Sequence, residues 1–457
     1  MLTIFGQPHR DGGFCDGVSR RDFLTVGGTL VGSALALPNL LSAEAQSGQK
    51  STHKSIINIY LPGGPPHQDM WDLKPDAPDG IRSEFNPIKT NVPGIEICEH
   101  FPRIAAMMDK FVPIRSVTSC SGDHDAFQCM TGRKKTPQQN GYWPAMGAWV
   151  SKVQGSVNQS VPPHLSLMYP TGERRWGDPG DGGFLGLAHA PFRLVGGKDK
   201  NLQADSLSLR GMTLERLGDR VGLMKAFDGL DRRIDNSGVT DGMDAFSKQA
   251  MGILTSSKLK DALDLSKERP EVLERYGVDD PAFERDGAPR MVRNFCLARR
   301  LVEAGARVVT LNFTRWDWHG QDGKNFVQGR KDMPLLDRAV AALVTDLHDS
   351  GRLDDVSIVV WGEFGRTPRI NKEAGRDHWP QVSCALMAGG GLKTGQVIGA
   401  TNRLGEYAVH RPVTHQEIFA TLYTRMGLNL SQVRFFDPNG RPQNLVEDGV
   451  LPIRELV

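Results

Sequence analysis

The run from Val356 to Trp361 constrains the fold of this chain most strongly, because four of its six residues are β-branched. Short apolar runs of this kind are typical of the buried central strands of an α/β sheet. The run breaks at Gly362 and is followed by Glu363, which stands where the strand would end. Ligands bind at the carboxyl ends of strands in open α/β sheets, so we expect a functional site at this edge.

A loop rich in glycine and arginine follows this strand and carries Arg366, Arg376 and His378. A second apolar run, residues 382–388, then ends in three glycines. A carboxylate at a strand exit and a histidine in the next loop supply half of a metal site or of an acid–base site. The other half is therefore expected elsewhere in the chain.

The residues before this strand predict a βαβ unit. Residues 307–313 are apolar and β-branched like a strand, and residues 333–350 have apolar side chains at helical spacing. The strand at 356–361 completes the unit. A βαβ unit implies neighbouring parallel strands, whose carboxyl ends lie at the same edge of the sheet.

Polar side chains follow the first strand of this unit. The strand at 307–313 exits into Asp317 and His319, a hard carboxylate and a borderline imidazole that lie two residues apart. The βαβ geometry is expected to bring both side chains towards Glu363 and His378. These four residues form the sharpest candidate site in the sequence.

Two further strand exits carry polar residues. Residues 56–61 form a predicted strand that leads into a proline-rich loop with Asp69, and residues 111–117 lead into Ser121 and His124. A structural turn with incidental polar residues explains the first loop equally well. In the second loop the helix amides could bind an anion, and a simple helix cap is the alternative.

The amino terminus has the pattern of an export signal. Ser19–Leu24 contains a twin-arginine motif, residues 26–41 are apolar and glycine-rich, and Ala43–Ala45 fits a small-residue cleavage site. An ordinary short helix with a basic start is the alternative. We therefore expect a twin-arginine signal peptide over residues 1–45.

The mature chain, residues 46–457, is expected to be a single domain with a loop-rich and helical insertion at about residues 133–289. No later stretch reaches about 18 consecutive apolar residues, so no stable membrane span is expected, and the predicted location is periplasmic or extracellular. The formal net charge of +2 gives no reason to expect nucleic acid as a partner.

The sequence also limits the cofactors. No GxGxxG fingerprint follows a strand, and no haem-attachment motif is present, so no organic cofactor is predicted. Five of the six cysteines lie after residue 45 without zinc-type spacing, which favours buried free thiols over disulfides.

The chain resembles a family of twin-arginine-exported proteins of planctomycete-type bacteria, defined as domain of unknown function 1501. The motifs that carry the resemblance span nearly the whole mature chain in order: SRRDFL, LPGGPPHQDMWDLKP, CMTG, WDWHG, WGEFGRTP, GRDHWP and ALMAGGG. This family is in turn related, more distantly, to the alkaline phosphatase superfamily of sulfatases, phosphatases and phosphodiesterases.

The resemblance implies an alkaline-phosphatase-like α/β fold, with a central mostly parallel sheet flanked by helices and divalent metal at its carboxyl edge. It implies these metal ligands: Asp69, Asp317, His319, Glu363 and His378. Asp69 and Glu363 would hold a second cation or orient the ligands of the first. The Asp-His-Gly motif of the superfamily here has Phe364 in place of its histidine. The Cys-x-Pro-Ser-Arg signature of formylglycine sulfatases does not occur.

The function that the resemblance implies is an exported, metal-dependent hydrolase of phosphate or sulfate esters. The ion would be zinc, manganese or calcium, and the partners would be the ester substrate and the twin-arginine export machinery. Ser121 or an activated water would attack, and Arg366 or His124 would stabilise the anion. The alternative is a non-catalytic binding protein on the same fold, for a sulfated glycan or a surface complex. Phe364 and the missing nucleophile signature favour that alternative.

Overall fold

The computed structural model describes residues 53–135, 143–172, 175–196, 201–202, 256–320 and 325–457. The predicted signal peptide and part of the predicted insertion, including residues 203–255, lie outside these residues. Residues 53–457 make up one compact unit. Among the described helices, none has the length and apolarity needed to cross a membrane.

An eight-stranded sheet forms the centre of this unit. Its strands are β1 (Ser55–Tyr60), β2 (Phe111–Thr118), β3 (His164–Ser166), β4 (Phe192–Arg193), β5 (Val308–Asn312), β6 (Val356–Trp361), β7 (Ser383–Gly389) and β8 (Val413–Thr414). They lie in the order β8-β2-β7-β6-β1-β5-β3-β4. Neighbouring strands are parallel except at β7, which runs antiparallel to both β6 and β2. The predicted α/β class with a mostly parallel sheet is therefore confirmed.

The two strands of the predicted βαβ unit are parallel but are not neighbours. Strand β1 lies between them and pairs with β5 on one side and with β6 on the other. The prediction was wrong on this point because apolar periodicity identifies a strand and carries no information about its pairing partner. Since all three strands run in one direction, their carboxyl ends still meet at a single edge.

Helices cover both faces of the sheet, and short two-stranded ribbons extend its loops. Three of the ribbons lie after or between the main strands. They pair residues 365–366 with 378–379, 400–401 with 408–410, and 280–283 with 289–290. The helices are α1 (His67–Met70), α2 (Pro102–Ala105), α3 (Phe127–Thr131), α4 (Met146–Gln154), α5 (Lys258–Leu263), α6 (Pro270–Tyr276), α7 (Arg293–Ala304), α8 (Asn325–Asp349) and α9 (His415–Arg425).

The strands send alternate side chains to opposite faces, as the pleat requires. In β1, Ile57 and Ile59 belong to one apolar cluster with residues of α7 and α8. Ile56 and Tyr60 belong to a second cluster with residues of α4 and α9. The sheet is thus the middle of three layers, which explains why every residue of β1, β5 and β6 is buried.

Helix α8 begins earlier than the sequence predicts. It starts at Asn325, where the apolar pattern predicts a start near Met333, and it contains Pro334 in its interior. Residues 325–332 are mostly polar, so apolar spacing gave no signal for the first turns of this helix. Helix α9 begins with the side-chain capping box of Thr414 and Glu417.

Five cysteines are present in the described part of the chain, and all five are free and buried. The prediction of buried free thiols is therefore confirmed. Burial raises the pKa of Cys98 and of Cys384 well above the ordinary thiol value. These side chains are consequently packing residues and not reactive thiolates.

Candidate metal centre at the carboxyl edge of the sheet

Two tight turns bring the loops after β1 and β5 into contact. Gly63 follows β1 with a φ of 104°, and a Cβ there would lie 2.5 Å from the backbone nitrogen of Asp317. Only glycine permits this approach. Thr314 follows β5 with a φ of 53°, a backbone conformation that is strained for a β-branched residue. Strain of this kind concentrates at functional sites.

Four side chains converge at this edge: His124, Asp317, His319 and His378 each offer one ligand atom, and these atoms lie within 4.8 Å of one another. The Nε2 atoms of the three imidazoles all face one oxygen, Oδ1 of Asp317. The distances to this oxygen are 2.7 Å from His319, 3.4 Å from His378 and 3.5 Å from His124. The structure thus brings together three of the residues that the resemblance implies as ligands and adds His124.

Three different loops supply these groups. Asp317 and His319 follow β5, and His124 lies between β2 and α3. His378 lies in a short ribbon after β6, in which it pairs directly with Arg366. Contributions from the exits of β2, β5 and β6 fix the cluster on the rigid sheet, because each loop begins at a buried strand.

Two buried arginines hold the carboxylate of Asp317. Arg366 donates from Nη2 to Oδ1 at 2.6 Å, and Arg315 donates from Nη2 to Oδ2 at 2.9 Å. Burial by itself would raise the pKa of Asp317, but hydrogen bonds with His319 and His378 and the charge of Arg366 hold it well below its ordinary value. Asp317 is therefore an anion throughout the physiological range.

Arg366 is fixed by the backbone around it. Its guanidinium donates to the carbonyl oxygen of Gly64 at 2.8 Å, to that of Arg376 at 3.0 Å and also to that of Gly63. Its Nη1 lies 3.2 Å from Nε2 of His319. The site consequently contains a fully buried cation whose position is set before any ligand arrives.

The structure places Glu363 behind the cluster and not among its four members. Its buried carboxylate accepts hydrogen bonds from the hydroxyl of Tyr60 at 2.8 Å, from Nε1 of Trp176 at 2.9 Å and from the backbone nitrogen of Gly63 at 2.9 Å. Nδ1 of His124 lies 3.4 Å from Oε1. Burial, and then the charge of Glu363, raise the pKa of Tyr60 well above its ordinary value, so the phenol remains a donor.

The structure also places Asp69 elsewhere than the resemblance implies. Both of its oxygens accept hydrogen bonds from Arg376, at 2.7 and 2.9 Å, and Asn325 donates to one of them at 2.7 Å. Asp69 and Arg376 are fully buried. Arg376 further donates to the carbonyl oxygens of Thr367 and Ile81, so this ion pair fastens the loop that carries His378.

Ser121 lies on the same loop as His124, but its described contacts are local. Its backbone nitrogen donates to Oε1 of Gln128 at 2.7 Å, and its Oγ accepts from the backbone nitrogen of Asp123 at 3.4 Å. These contacts order the loop before α3. A nucleophilic role for Ser121 remains a prediction.

Phe364 fills the space beside the histidines. Its ring lies 4.4 Å from the ring of His378 and 5.4 Å from that of His124, centroid to centroid. A Cβ on Gly64 would lie 2.5 Å from the phenyl ring, so the two residues are closely packed. Phe364 thus forms an apolar wall beside His124 and His378.

Sequence reasoning missed Arg315 and Trp176 as parts of the site and named His124 only as a group that binds the anion. Arg315 stands between the strand at 307–313 and Asp317, so its position at the exit was a usable signal. Trp176 is far from the other residues in sequence, and no local pattern links it to Glu363.

The chain is weakly similar to several solved structures. Among solved structures, the chain aligns with Ps i-CgsB at 9% identity, over 83% of this chain and 73% of that chain, with a TM-score of 0.38. It aligns with the PsFucS1 sulfatase from Pseudoalteromonas sp. at 13% identity, over 86% and 71%, with a TM-score of 0.34. The phosphonate monoester hydrolase SpPMH from Silicibacter pomeroyi aligns at 11% identity, over 83% and 74%, with a TM-score of 0.35.

No curated protein sequence matches the chain significantly. Residues 53–457 match the family described as "Protein of unknown function (DUF1501)". The chain belongs to this family, as its motifs indicate.

Proposed function

We propose that this member of the DUF1501 family is a divalent-metal-dependent hydrolase of phosphate or sulfate esters. The observation that carries the proposal is the convergence of three imidazole Nε2 atoms on one oxygen of the ionised Asp317. Half-buried histidines around a buried carboxylate are what a metal site requires, and the carboxyl edge of the sheet is where such folds bind ligands.

The donor set fits a divalent cation. Three nitrogens and one carboxylate oxygen are ligands that zinc and manganese accept readily, and calcium is the remaining candidate that the sequence left open. Burial lowers the pKa of His378, although its hydrogen bond with Asp317 opposes this shift, which favours the neutral imidazole that metal binding needs. A bound cation would supply Lewis-acid activation of the ester and of water.

The surrounding residues prepare the site for an anion. Arg366 and Arg315 place two positive charges against Asp317, and Arg366 is held rigidly by backbone carbonyls. The N–H groups of Arg366 already bond within the protein, so its fixed positive charge would attract an anionic ester at the cluster without reorganisation. Trp176 and Phe364 are fully buried beside His124, so they exclude water from one side of the site.

A water molecule or Ser121 would be the nucleophile in this proposal. Ser121 is attached to the loop of His124, which supports a position near the cluster. Its described hydrogen bonds are made with Gln128 of α3 and with Asp123 of the same loop.

A non-catalytic oxyanion-binding protein is the second candidate. Both oxygens of Asp317 already accept hydrogen bonds from arginines, and Phe364 stands where a further ligand would be. Three histidines, beside the positive charge of two buried arginines, could hold a sulfate or phosphate group, as on a sulfated glycan, without cleaving it.

We further propose that the mature protein is exported by the twin-arginine pathway to the periplasm or beyond. Arg20 and Arg21 within the predicted signal support this proposal. Replacing both arginines by lysine is expected to leave the precursor in the cytoplasm in a cell-fractionation assay. Unchanged export of this variant would contradict the proposal.

Turnover with and without chelator separates the two candidate functions. The mature protein should hydrolyse aryl phosphate or aryl sulfate esters, and EDTA should abolish this activity until zinc, manganese or calcium is restored. The absence of turnover of either ester class, in a protein that binds the corresponding anion, would favour the binding candidate.

A further inference from the structure

His319 contacts a different carboxylate with each of its ring nitrogens. Nε2 lies 2.7 Å from Oδ1 of Asp317, at the centre of the cluster. Nδ1 lies 2.9 Å from Oδ1 of Asp377, on the outer side of the ring. An imidazole that binds a metal through one nitrogen carries its proton on the other, so the outer contact is where that proton would be held.

His124 shows the same arrangement with other partners. Its Nε2 faces Asp317 at 3.5 Å, and its Nδ1 faces Oε1 of Glu363 at 3.4 Å. Glu363 is held in turn by Tyr60 and Trp176. Two histidines from different loops therefore have a carboxylate on the outer nitrogen and Asp317 on the inner one.

We propose that Asp377 is a positioning residue for His319, in the way that Glu363 is for His124. The Asp377 carboxylate accepts a hydrogen bond from Nδ1–H and fixes the plane of the ring, so that Nε2 is the nitrogen that would bind a cation in the cluster. A carboxylate in this position also makes the imidazole a stronger ligand. This inference rests on the proposed metal site, because its consequence for the protein is the strength of metal binding.

Asp377 is itself held in place. Asn371 donates from Nδ2 to Oδ1 of Asp377 at 3.3 Å and to the carbonyl oxygen of His319 at 2.7 Å. The backbone nitrogen of Asp377 donates to Oγ1 of Thr367 at 2.9 Å. These contacts keep the carboxylate beside Nδ1, although 56% of its side chain is exposed.

The exposure of Asp377 makes it a clean site for mutation, because its removal leaves no buried charge without a partner. A matched control exists at the other end of the fold. Asp349 lies 3.5 Å from Nδ1 of His348 at the end of α8, and its side chain is 64% exposed. This pair resembles the Asp377–His319 pair chemically but lies just before β6 begins, at the opposite edge of the sheet.

The first test is the zinc affinity of Asp377→Ala, Asp377→Asn and Asp349→Ala, measured by competition with a chromophoric chelator. Loss of an outer-shell partner typically weakens metal binding about 10- to 100-fold, and we expect this for Asp377→Ala. Asp377→Asn keeps a hydrogen-bond acceptor and should lose less, whereas Asp349→Ala should bind zinc like the unchanged protein. Equal affinities for Asp377→Ala and Asp349→Ala would overturn the inference.

The second test does not depend on metal. Nitrogen-15 NMR of the histidine side chains in metal-free protein reports whether Nδ1 of His319 carries a proton. Nε2 faces the anionic Asp317 at 2.7 Å in this state, so the test follows Nδ1 alone. We expect a proton on Nδ1, and a lower occupancy of Nδ1 by this proton in Asp377→Ala. An Nδ1 without a proton in the unchanged protein would refute the inference. A protein that binds no zinc, but in which His319 shows the expected proton position, would refute the proposed function alone.

Discussion

Replacing Asp69 by asparagine tests the main difference between the sequence-based ligand set and the structure. In the structure Asp69 forms a fully buried, two-point ion pair with Arg376, at 2.7 and 2.9 Å, and accepts a further hydrogen bond from Asn325. Asparagine removes the negative charge and leaves the guanidinium of Arg376 buried without a counter-ion. Breaking a buried pair in this way costs about 3–5 kcal/mol.

The expected loss of about 3–5 kcal/mol refers to the free energy of unfolding, measured by urea denaturation followed by tryptophan fluorescence. The control is Asp79→Asn, which removes a surface pair with Arg82 whose carboxylate is 91% exposed, and which should leave stability unchanged. Zinc bound by folded Asp69→Asn protein should remain near the unchanged level. A variant of nearly unchanged stability that loses its metal would refute this reasoning and restore Asp69 as a ligand.

Two further predictions concern the anion site and the buried histidines. Arg366→Lys keeps the positive charge but loses the planar guanidinium that donates to Asp317 and to three backbone carbonyls. We therefore expect kcat/KM for the ester to fall about 100-fold in steady-state kinetics. An unchanged kcat/KM would contradict the role of Arg366. Burial lowers the pKa of His164 and of His415 from 6.5 to about 4. The unfolded chain therefore binds more protons between these pH values, and stability should fall by up to about 3 kcal/mol per histidine as the pH drops from 6.5 to 4. Replacing His415 by glutamine should flatten this pH dependence of urea denaturation, and an unaltered slope would contradict it.

The sequence predicts the elements of the fold better than their arrangement. The β-branched runs located β1, β5 and β6, because a buried strand must be apolar on both faces. The insertion of β1 between β5 and β6 could not be predicted, since pairing depends on contacts distant in the chain. The start of α8 was predicted too late, because residues 325–332 are mostly polar and show little apolar periodicity.

In the candidate site, too, the positions of residues in the chain could be predicted better than their contacts. Asp317, His319 and His378 could be expected together because they follow strands that end at one edge. Asp69 could not be distinguished from a ligand, since its partner Arg376 lies 307 residues away in the chain. A carboxylate in the sequence does not reveal whether it will meet a cation of the protein or a bound metal, because only the folded packing decides between them.

Elemental analysis of the mature protein tests the central claim most directly. The protein should be purified without chelators and without a histidine tag, and its metal content compared with that of a variant carrying His319→Ala and His378→Ala. We expect near-stoichiometric zinc, manganese or calcium in the unchanged protein and its loss in the variant, with both proteins folded by circular dichroism. A folded protein that retains no divalent metal, even after dialysis against each of these ions, would contradict the account.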